Sequence, residues 1–392
     1  MRVRGGWLVA LAAWTMIGCG DDAVIAPAPA PASKEALFER GPHAVGFYET
    51  EVSYDPVGPE TTRSLKLRVW YPAVAGGEAP AEYSVAGIIS LPAEGAIASP
   101  APIAQSDLPL AIYSHGFAGV GLLAYPYGEL MASHGWVVMA PNHTGNTAVD
   151  AIGEGFDPIA SITVNRPLDI TAVIDWAAQD VAGEIAGLSV ASEAVFMFGH
   201  SYGAYTTFAS GGVDLDVEGF ADGCTEPDCS IFADPEVMAA YADFGDSRIV
   251  AIAPQAPAVV PDYADGSLAA LKVPTLLQSG RRDATTTQTE QDQPAWEGLD
   301  HPDDLWVELP DGGHLSFISI CDDLEKGLLD AFQPGNEDDG CGESFTPVAQ
   351  AVPALAAYLL AFANLHVLGQ EDWRPILTGE PLDASVEVTV GH

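Results

Sequence analysis

Ser201 lies at the centre of Gly199-His200-Ser201-Tyr202-Gly203, directly after the apolar run Phe196-Met197-Phe198. At a sharp strand-to-helix corner flanked by glycines, a serine hydroxyl is pushed clear of the backbone and becomes a nucleophile once a base takes its proton. In a chain with 40 glycines the five-residue pattern alone separates such a corner poorly from a surface turn, so partners must be found elsewhere. Val273 to Gly280 reads as a buried strand that runs into Arg281-Arg282-Asp283, presenting Asp283 as the acid. Asp304 to Leu309 reads as another strand and leads into Pro310-Asp311-Gly312-Gly313-His314, where the glycines free His314 to swing inward as the base. Upstream, Leu108 to Ser114 reads as a strand followed by His115-Gly116-Phe117. The backbone N–H groups of Phe117 and Tyr202 are the expected oxyanion donors, each of a kind whose loss typically costs about 100- to 1000-fold in rate. This equipment suits acyl transfer through a covalent acyl-enzyme and requires no metal or organic cofactor.

Neighbouring residues invite further roles. His143, in Asn142-His143-Thr144-Gly145-Asn146, leaves a strand on the same side as the serine; it is a candidate substrate contact, with a structural hydrogen bond as the alternative. Trp296, with Phe117 and Tyr202, is a candidate wall of an aromatic cleft. His200 occupies the variable position before the serine and is expected to pack locally. Arg281 and Arg282 are expected in ordinary salt bridges, and Arg166 and Asp169 in structural contacts.

These residues need a frame that brings strand ends together. Strand candidates at 65–71, 110–114, 136–140, 194–199, 249–253, 275–280 and 305–309 alternate with helix-length segments. The apolar runs lack the alternation of half-exposed strands, which points to an α/β chain with a mostly parallel central sheet and helices on both faces. At 392 residues one domain with insertions is long enough for a large core. Residues 211–246 read as an insertion after the nucleophile helix, a possible lid or pocket wall.

Together Trp70-Tyr71-Pro72, Ser114-His115-Gly116, Gly199-His200-Ser201-Tyr202-Gly203 and Gly313-His314 resemble one branch of the α/β-hydrolases. That branch contains platelet-activating-factor acetylhydrolases and predicted bacterial dienelactone hydrolases, with polyester hydrolases as near relatives. The likeness covers roughly Arg40 to Leu368. It extends to the helix end and strand from Ala132 to His143, and to a helix start at Asn165-Arg166-Pro167-Leu168-Asp169-Ile170. The resemblance implies the α/β-hydrolase fold, the chain order Ser201, Asp283, His314, and carboxylic-ester hydrolysis on a small-molecule or polymeric substrate. Alternatives are a PET-like polyester hydrolase, a short-acyl phospholipid esterase of the acetylhydrolase type, or an inactive lipid-anchored binding protein that kept the fold. The intact Ser, Asp and His set argues against the last.

Two departures limit the carry-over. Dienelactone hydrolases proper use a cysteine where this chain has Ser201. Acetylhydrolases that prefer lipid substrates place the acid after the preceding strand, whose equivalent here, Arg248 to Ala253, runs into Pro254-Gln255-Ala256-Pro257 without a carboxylate. Asp262, further along that loop, is the alternative acid.

The N-terminus reads as a targeting segment. Arg2 and Arg4, the apolar stretch Trp7 to Ile17 and the Ile17-Gly18-Cys19 site resemble a bacterial lipoprotein signal over 1–18, with Cys19 as the lipidated first residue and Met16 where Leu is usual. Ordinary signal cleavage is the alternative. An Ala/Pro-rich tether over 19–39 and a domain over 40–392 follow. An exported protein is expected, either an outer-membrane or cell-surface lipoprotein or a periplasmic or secreted one.

The formal net charge of −41 repels nucleic acid and anionic membranes, so membrane contact is expected only through the N-terminal anchor, and a monomer is expected. The acids read mostly as a solvated coat, with calcium binding the alternative for the acid-rich stretches Asp214 to Glu218 and Glu337 to Glu343. Asp214, Asp216, Glu218 and Gly219 stand at EF-hand-like offsets, but Thr225 replaces the closing Glu, and no metal site is expected. Four cysteines besides Cys19 suit export and allow three pairings. Nearest-neighbour bridges, Cys224 with Cys229 and Cys321 with Cys341, are the expectation. The second would close an acidic excursion beyond His314 and steady its loop.

Overall fold

The computed structural model of the protein describes residues 32–58, 62–76, 79–85, 87, 89–93, 95–153, 155–224, 229–323 and 339–391. The expected signal peptide, Cys19 and most of the tether lie outside the described residues, as does Thr225. The tether expectation over 19–39 runs too far: Leu37 is fully buried in the core, and Lys34 Nζ donates to the Pro381 carbonyl at 2.6 Å. An apolar side chain in that position draws the packed domain back to the middle thirties.

Strands β1 (Ala44–Tyr54), β2 (Arg63–Ala73), β5 (Ala96–Ala98), β6 (Leu108–Ser114), β7 (Val137–Pro141), β8 (Val190–His200), β9 (Ile249–Gln255), β10 (Leu276–Gly280), β11 (Leu305–Leu309) and β12 (Glu387–Val390) form one sheet. Its order is β12-β11-β10-β9-β8-β6-β7-β2-β1-β5, and a small antiparallel pair, β3 (Tyr83–Val85) with β4 (Ile89–Leu91), stands apart. From β6 to β11 every neighbouring pair is parallel. Antiparallel β2 and β12 flank this block, and β1 pairs antiparallel with β2. The fold is therefore the expected α/β-hydrolase architecture. β1, β5 and β12 carry no continuous apolar run in the sequence: β12 is largely exposed, β5 is three residues long, and β1 is interrupted by Tyr48-Glu49-Thr50-Glu51.

A short helix, α2 (Ala148–Ile152), follows β7, and alternate side chains of the parallel strands enter two cores. Phe196 and Phe198 of β8 face one, with α1 (Tyr125–Ser133) and the helix Val348–His366; Val195 and Met197 face the other, with α3 (Ile159–Gln179) and α4 (Tyr202–Gly211). A strand apolar on both faces reads as a continuous apolar run. Val348–His366 is likewise buried almost all round, as befits a core helix. The segment Asn165–Ile170 lies inside α3 rather than at its start, with Pro167 within the helix.

The 211–246 insertion carries α5 (Val217–Gly223) and α6 (Pro235–Tyr241). It is anchored: Val237 and Tyr241 are fully buried, and Tyr241 Oη donates to the Ala160 carbonyl of α3 at 2.7 Å. Asp216 caps α5, accepting from Gly219 N–H at 3.0 Å. Both nearest-neighbour cysteine pairs are bonded, with Cα separations of 5.9 Å for Cys224–Cys229 and 5.4 Å for Cys321–Cys341.

Candidate active site

Parallel register aligns the carboxyl ends of β6, β8, β9, β10 and β11. Ser114 pairs with Gly199, His200 with Gln255, and Gly280 with Leu309, so the loops leaving these strands meet at one edge. Ser201 caps α4 with φ 58° and ψ −121°, a conformation rarely tolerated outside glycine. The corner demands Gly203 as well, because a Cβ there would lie 1.9 Å from the Ser114 carbonyl oxygen.

The three expected chemical groups meet. Ser201 Oγ is 2.9 Å from His314 Nε2, and His314 Nδ1 is 2.8 Å from Asp283 Oδ2. An Nδ1–H donated to Asp283 leaves the Nε2 lone pair facing the serine hydroxyl. Ser201 is partly exposed, whereas His314 and Asp283 are buried. Asp283 Oδ1 accepts from the N–H groups of Thr285 and Thr286 at 2.9 and 2.7 Å, and Oδ2 accepts from Thr286 Oγ1 at 2.9 Å. Burial works against its ionisation, but the His314 imidazole and these donors prevail and lower its pKa. Among the described residues, Asp283 is hydrogen-bonded to the His314 side chain and Asp262 is not.

The oxyanion side is equally close. Gly116 approaches the nucleophile so nearly that a Cβ on it would sit 3.3 Å from Ser201 Cβ. Phe117 follows, and Ala118 takes a left-handed φ of 57° that turns the loop. Among the described residues, the N–H groups of Phe117 and Tyr202 have no hydrogen-bond acceptor, which leaves both for a ligand oxygen.

Beneath this loop lies a second Ser-His-Asp chain. Ser114 Oγ is 2.9 Å from His143 Nε2, and His143 Nδ1 is 2.8 Å from Asp169 Oδ2. All three residues are fully buried, so no substrate reaches Ser114. Arg166, also buried, donates to Ser114 Oγ at 3.2 Å and to the His115 carbonyl. Burial and the Arg166 charge lower the His143 pKa to about 4. Burial would raise that of Asp169, but Arg63 and His143 hold it at about 2. The network braces Ser114-His115-Gly116, and His143 is corrected from substrate contact to buried support because both its ring nitrogens are engaged inside the protein.

Trp296 is also corrected. It is buried on the helix Asp292–Gly298 with its ring 5.7 Å from that of Trp306, a core contact. The aromatic group beside Phe117 consists instead of Phe156, at 4.7 Å between ring centroids, and Tyr202, at 6.1 Å. Tyr202 Oη and Thr163 Oγ1 are 2.6 Å apart. His200 is buried and packs locally, its Nε2 2.8 Å from the His314 carbonyl; burial and the neighbouring His314 lower its pKa to about 3. Arg281 pairs with Glu308 and Glu387, and Arg282 lies over the Phe345 ring at 4.5 Å.

Residues missed by sequence reading include Thr286, Phe156 and Asp339. The run Thr285-Thr286-Thr287 directly after Asp283 is a signal for the first, since threonines two and three residues on can close a turn over the carboxylate. Phe156 and Asp339 carry no local signal.

Residues 84–153 match the family described as platelet-activating factor acetylhydrolase, isoform II. The matched stretch includes β6, the Ser114-His115-Gly116-Phe117 loop, α1 and β7, and ends before Ser201. No curated protein matches the chain. Over this stretch, less than half of the chain, the protein is similar to the platelet-activating factor acetylhydrolases, which hydrolyse ester bonds, and the parallel block with the serine corner at its carboxyl edge agrees with that likeness.

Proposed function

We propose that the protein is an exported serine carboxylic-ester hydrolase of carboxylesterase or lipase-like type. The observation that carries this reading is the continuous Ser201–His314–Asp283 hydrogen-bond chain, with spacings of 2.9 and 2.8 Å. Ser201 Oγ attacks the ester carbonyl carbon as its proton passes to His314 Nε2. Asp283 stabilises the imidazolium, and the Phe117 and Tyr202 N–H groups receive the oxyanion. Collapse breaks the acyl–oxygen bond, and His314 returns the proton to the leaving alcohol. Water then repeats the sequence on the acyl-enzyme and releases the acid. None of these steps calls for a cofactor. The two disulfides are compatible with an extracellular setting, and the net charge of −41 disfavours a nucleic-acid partner. Cys19 would supply the lipid anchor of an otherwise soluble monomer.

The test is fluorophosphonate labelling together with hydrolysis of a short-chain aryl ester. Wild-type protein labels and turns over, while Ser201→Ala does neither; a silent wild type, or equal labelling of the variant, rejects the reading. A narrower reading, polyester or short-acyl phospholipid cleavage, is favoured by the rings of Phe117 and Phe156, which are 37% and 40% exposed beside the oxyanion loop. An ester chain-length series, a polyester film and a short-acyl phospholipid separate these substrates.

A further inference from the structure

Asp339 belongs to the acid-rich stretch Glu337 to Glu343, yet it is only 7% exposed. Its carboxylate lies between two loops. Oδ1 accepts from the His314 N–H at 3.0 Å, and Oδ2 accepts from Ala284 N–H, Thr285 N–H and Thr285 Oγ1 at 3.0, 2.9 and 2.7 Å. Its backbone carbonyl accepts from Leu315 N–H at 2.7 Å. One side chain therefore bridges the backbone of the base residue and that of the turn wrapped around Asp283.

The fit around it is tight. A Cβ on Gly313 would meet Gly340 N at 2.4 Å and Asp339 Oδ1 at 2.5 Å, so only glycine lets the base loop approach this close. Two residues beyond Asp339, Cys341 is bonded to Cys321 on the short helix Ile320–Asp323, immediately after the His314 turn.

We propose that Asp339 is a positioning residue for ester hydrolysis: it fixes His314 against Asp283, and the Cys321–Cys341 bridge holds Asp339 in place. The proposal rests on the triad reading for its kinetic consequence but not for its geometry. A carboxylate accepting four hydrogen bonds from two loops sets the distance between them, and displacement of a catalytic group by about 1 Å costs on the order of 100-fold in rate. Because the Asp339 carboxylate is bonded to the loops that carry His314 and Asp283, the loss is expected to fall on kcat.

The experiment compares wild type, Asp339→Ala, Asp339→Asn, the double variant Cys321→Ser/Cys341→Ser, and Glu343→Ala on the exposed part of the same excursion. Expected for Asp339→Ala is a fall in kcat of about 10- to 100-fold with KM within about twofold, and slower fluorophosphonate labelling of Ser201. Asn offers one accepting oxygen where Asp offers two, so Asp339→Asn is expected to lose about three- to tenfold. The double cysteine variant falls on the same side as Asp339→Asn, and Glu343→Ala matches wild type.

A second readout is independent of turnover. The downfield imidazole N–H proton of His314 bonded to Asp283 is followed by NMR, assigned by its disappearance in His314→Ala. Asp339→Ala should broaden or remove it while the corresponding His143–Asp169 signal persists. If wild type fails to hydrolyse esters but this pattern holds, the functional reading falls and the positioning role stands. Should Asp339→Ala fail to fold, Asp339→Asn carries the same test. Unchanged kcat and an unchanged His314 resonance in a folded Asp339 variant would overturn the proposal, as would a loss confined to KM.

Discussion

Two Ser-His-Asp chains of almost equal geometry stand within one chain, and their surroundings decide which can react. Ser201 meets solvent at a strained corner beside two N–H donors that have no acceptor among the described residues. Ser114 is sealed in, and Arg166 lies against both its hydroxyl and the adjacent carbonyl, suppressing the basicity of His143. Spacing is thus insufficient for nucleophilic catalysis; access and a place for the oxyanion are also needed. The acid assignment is tested at the same scale. Asp283→Asn is expected to lower kcat by about 10⁴-fold, because an amide presents its NH2 to His314 and favours the wrong tautomer. Asp262→Asn, which removes a carboxylate with no bond to His314, is expected to keep kcat within about threefold, since surface substitutions away from such features cost little. Steady-state kinetics on both variants decide between the two carboxylates.

At the scale of elements, the site is made by loops that leave neighbouring parallel strands. The β10 and β11 loops touch directly, with Arg281 N–H donating to the Leu309 carbonyl at 3.0 Å and Arg282 N–H to that of Gly312 at 2.9 Å. α4 is pressed onto β6 through Gly203. Gly203→Ala would drive a methyl into the Ser114 carbonyl, and the atoms it meets, Ser114 O and C and His115 O, are backbone that cannot swing aside as a flexible side chain could. A loss of at least about 3 kcal/mol is expected, read as a lower urea midpoint, with loss of the active corner in whatever folds. The 211–246 insertion is tied to α3 through Tyr241, and its α6 half belongs to the core.

For the whole molecule the charge balance and the buried titratable groups act together. At a net charge of −41, self-repulsion opposes the compact state, so thermal stability should rise as salt goes from about 0.05 to 0.5 M and the screening length shortens. A Tm that is flat or falls with salt would contradict this. Acid acts the other way. His143 and His200 have folded pKa values of about 4 and about 3, below the ordinary 6.5, so the unfolded chain takes up protons that the fold refuses as pH drops below 6.5. Asp169, held at about 2 against an ordinary 3.8, contributes stability above 3.8 that is lost as pH falls toward 2. Calorimetry in 0.5 M salt should therefore show Tm falling from about pH 7 to about pH 5, the histidine window, and further below about pH 4.

Much of the site was legible in the sequence because its signals are local. A glycine-flanked serine after an apolar run, a carboxylate ending one strand and a histidine on a glycine-rich loop ending another each carry a mark within about ten residues of chain. The parallel sheet was legible for a related reason: strands buried on both faces leave unbroken apolar runs. Edge strands β5 and β12 lack that burial, and β1 is interrupted by acids, so they left no such trace. Tertiary structure alone decided the contacts between distant segments: Asp283 beside His314, His143 between Ser114 and Asp169, Phe156 beside Phe117, and Asp339 as a buried bridge between the His314 and Asp283 loops. Each depends on which loop ends face one another across the sheet, a matter of strand order and packing that composition and spacing do not encode.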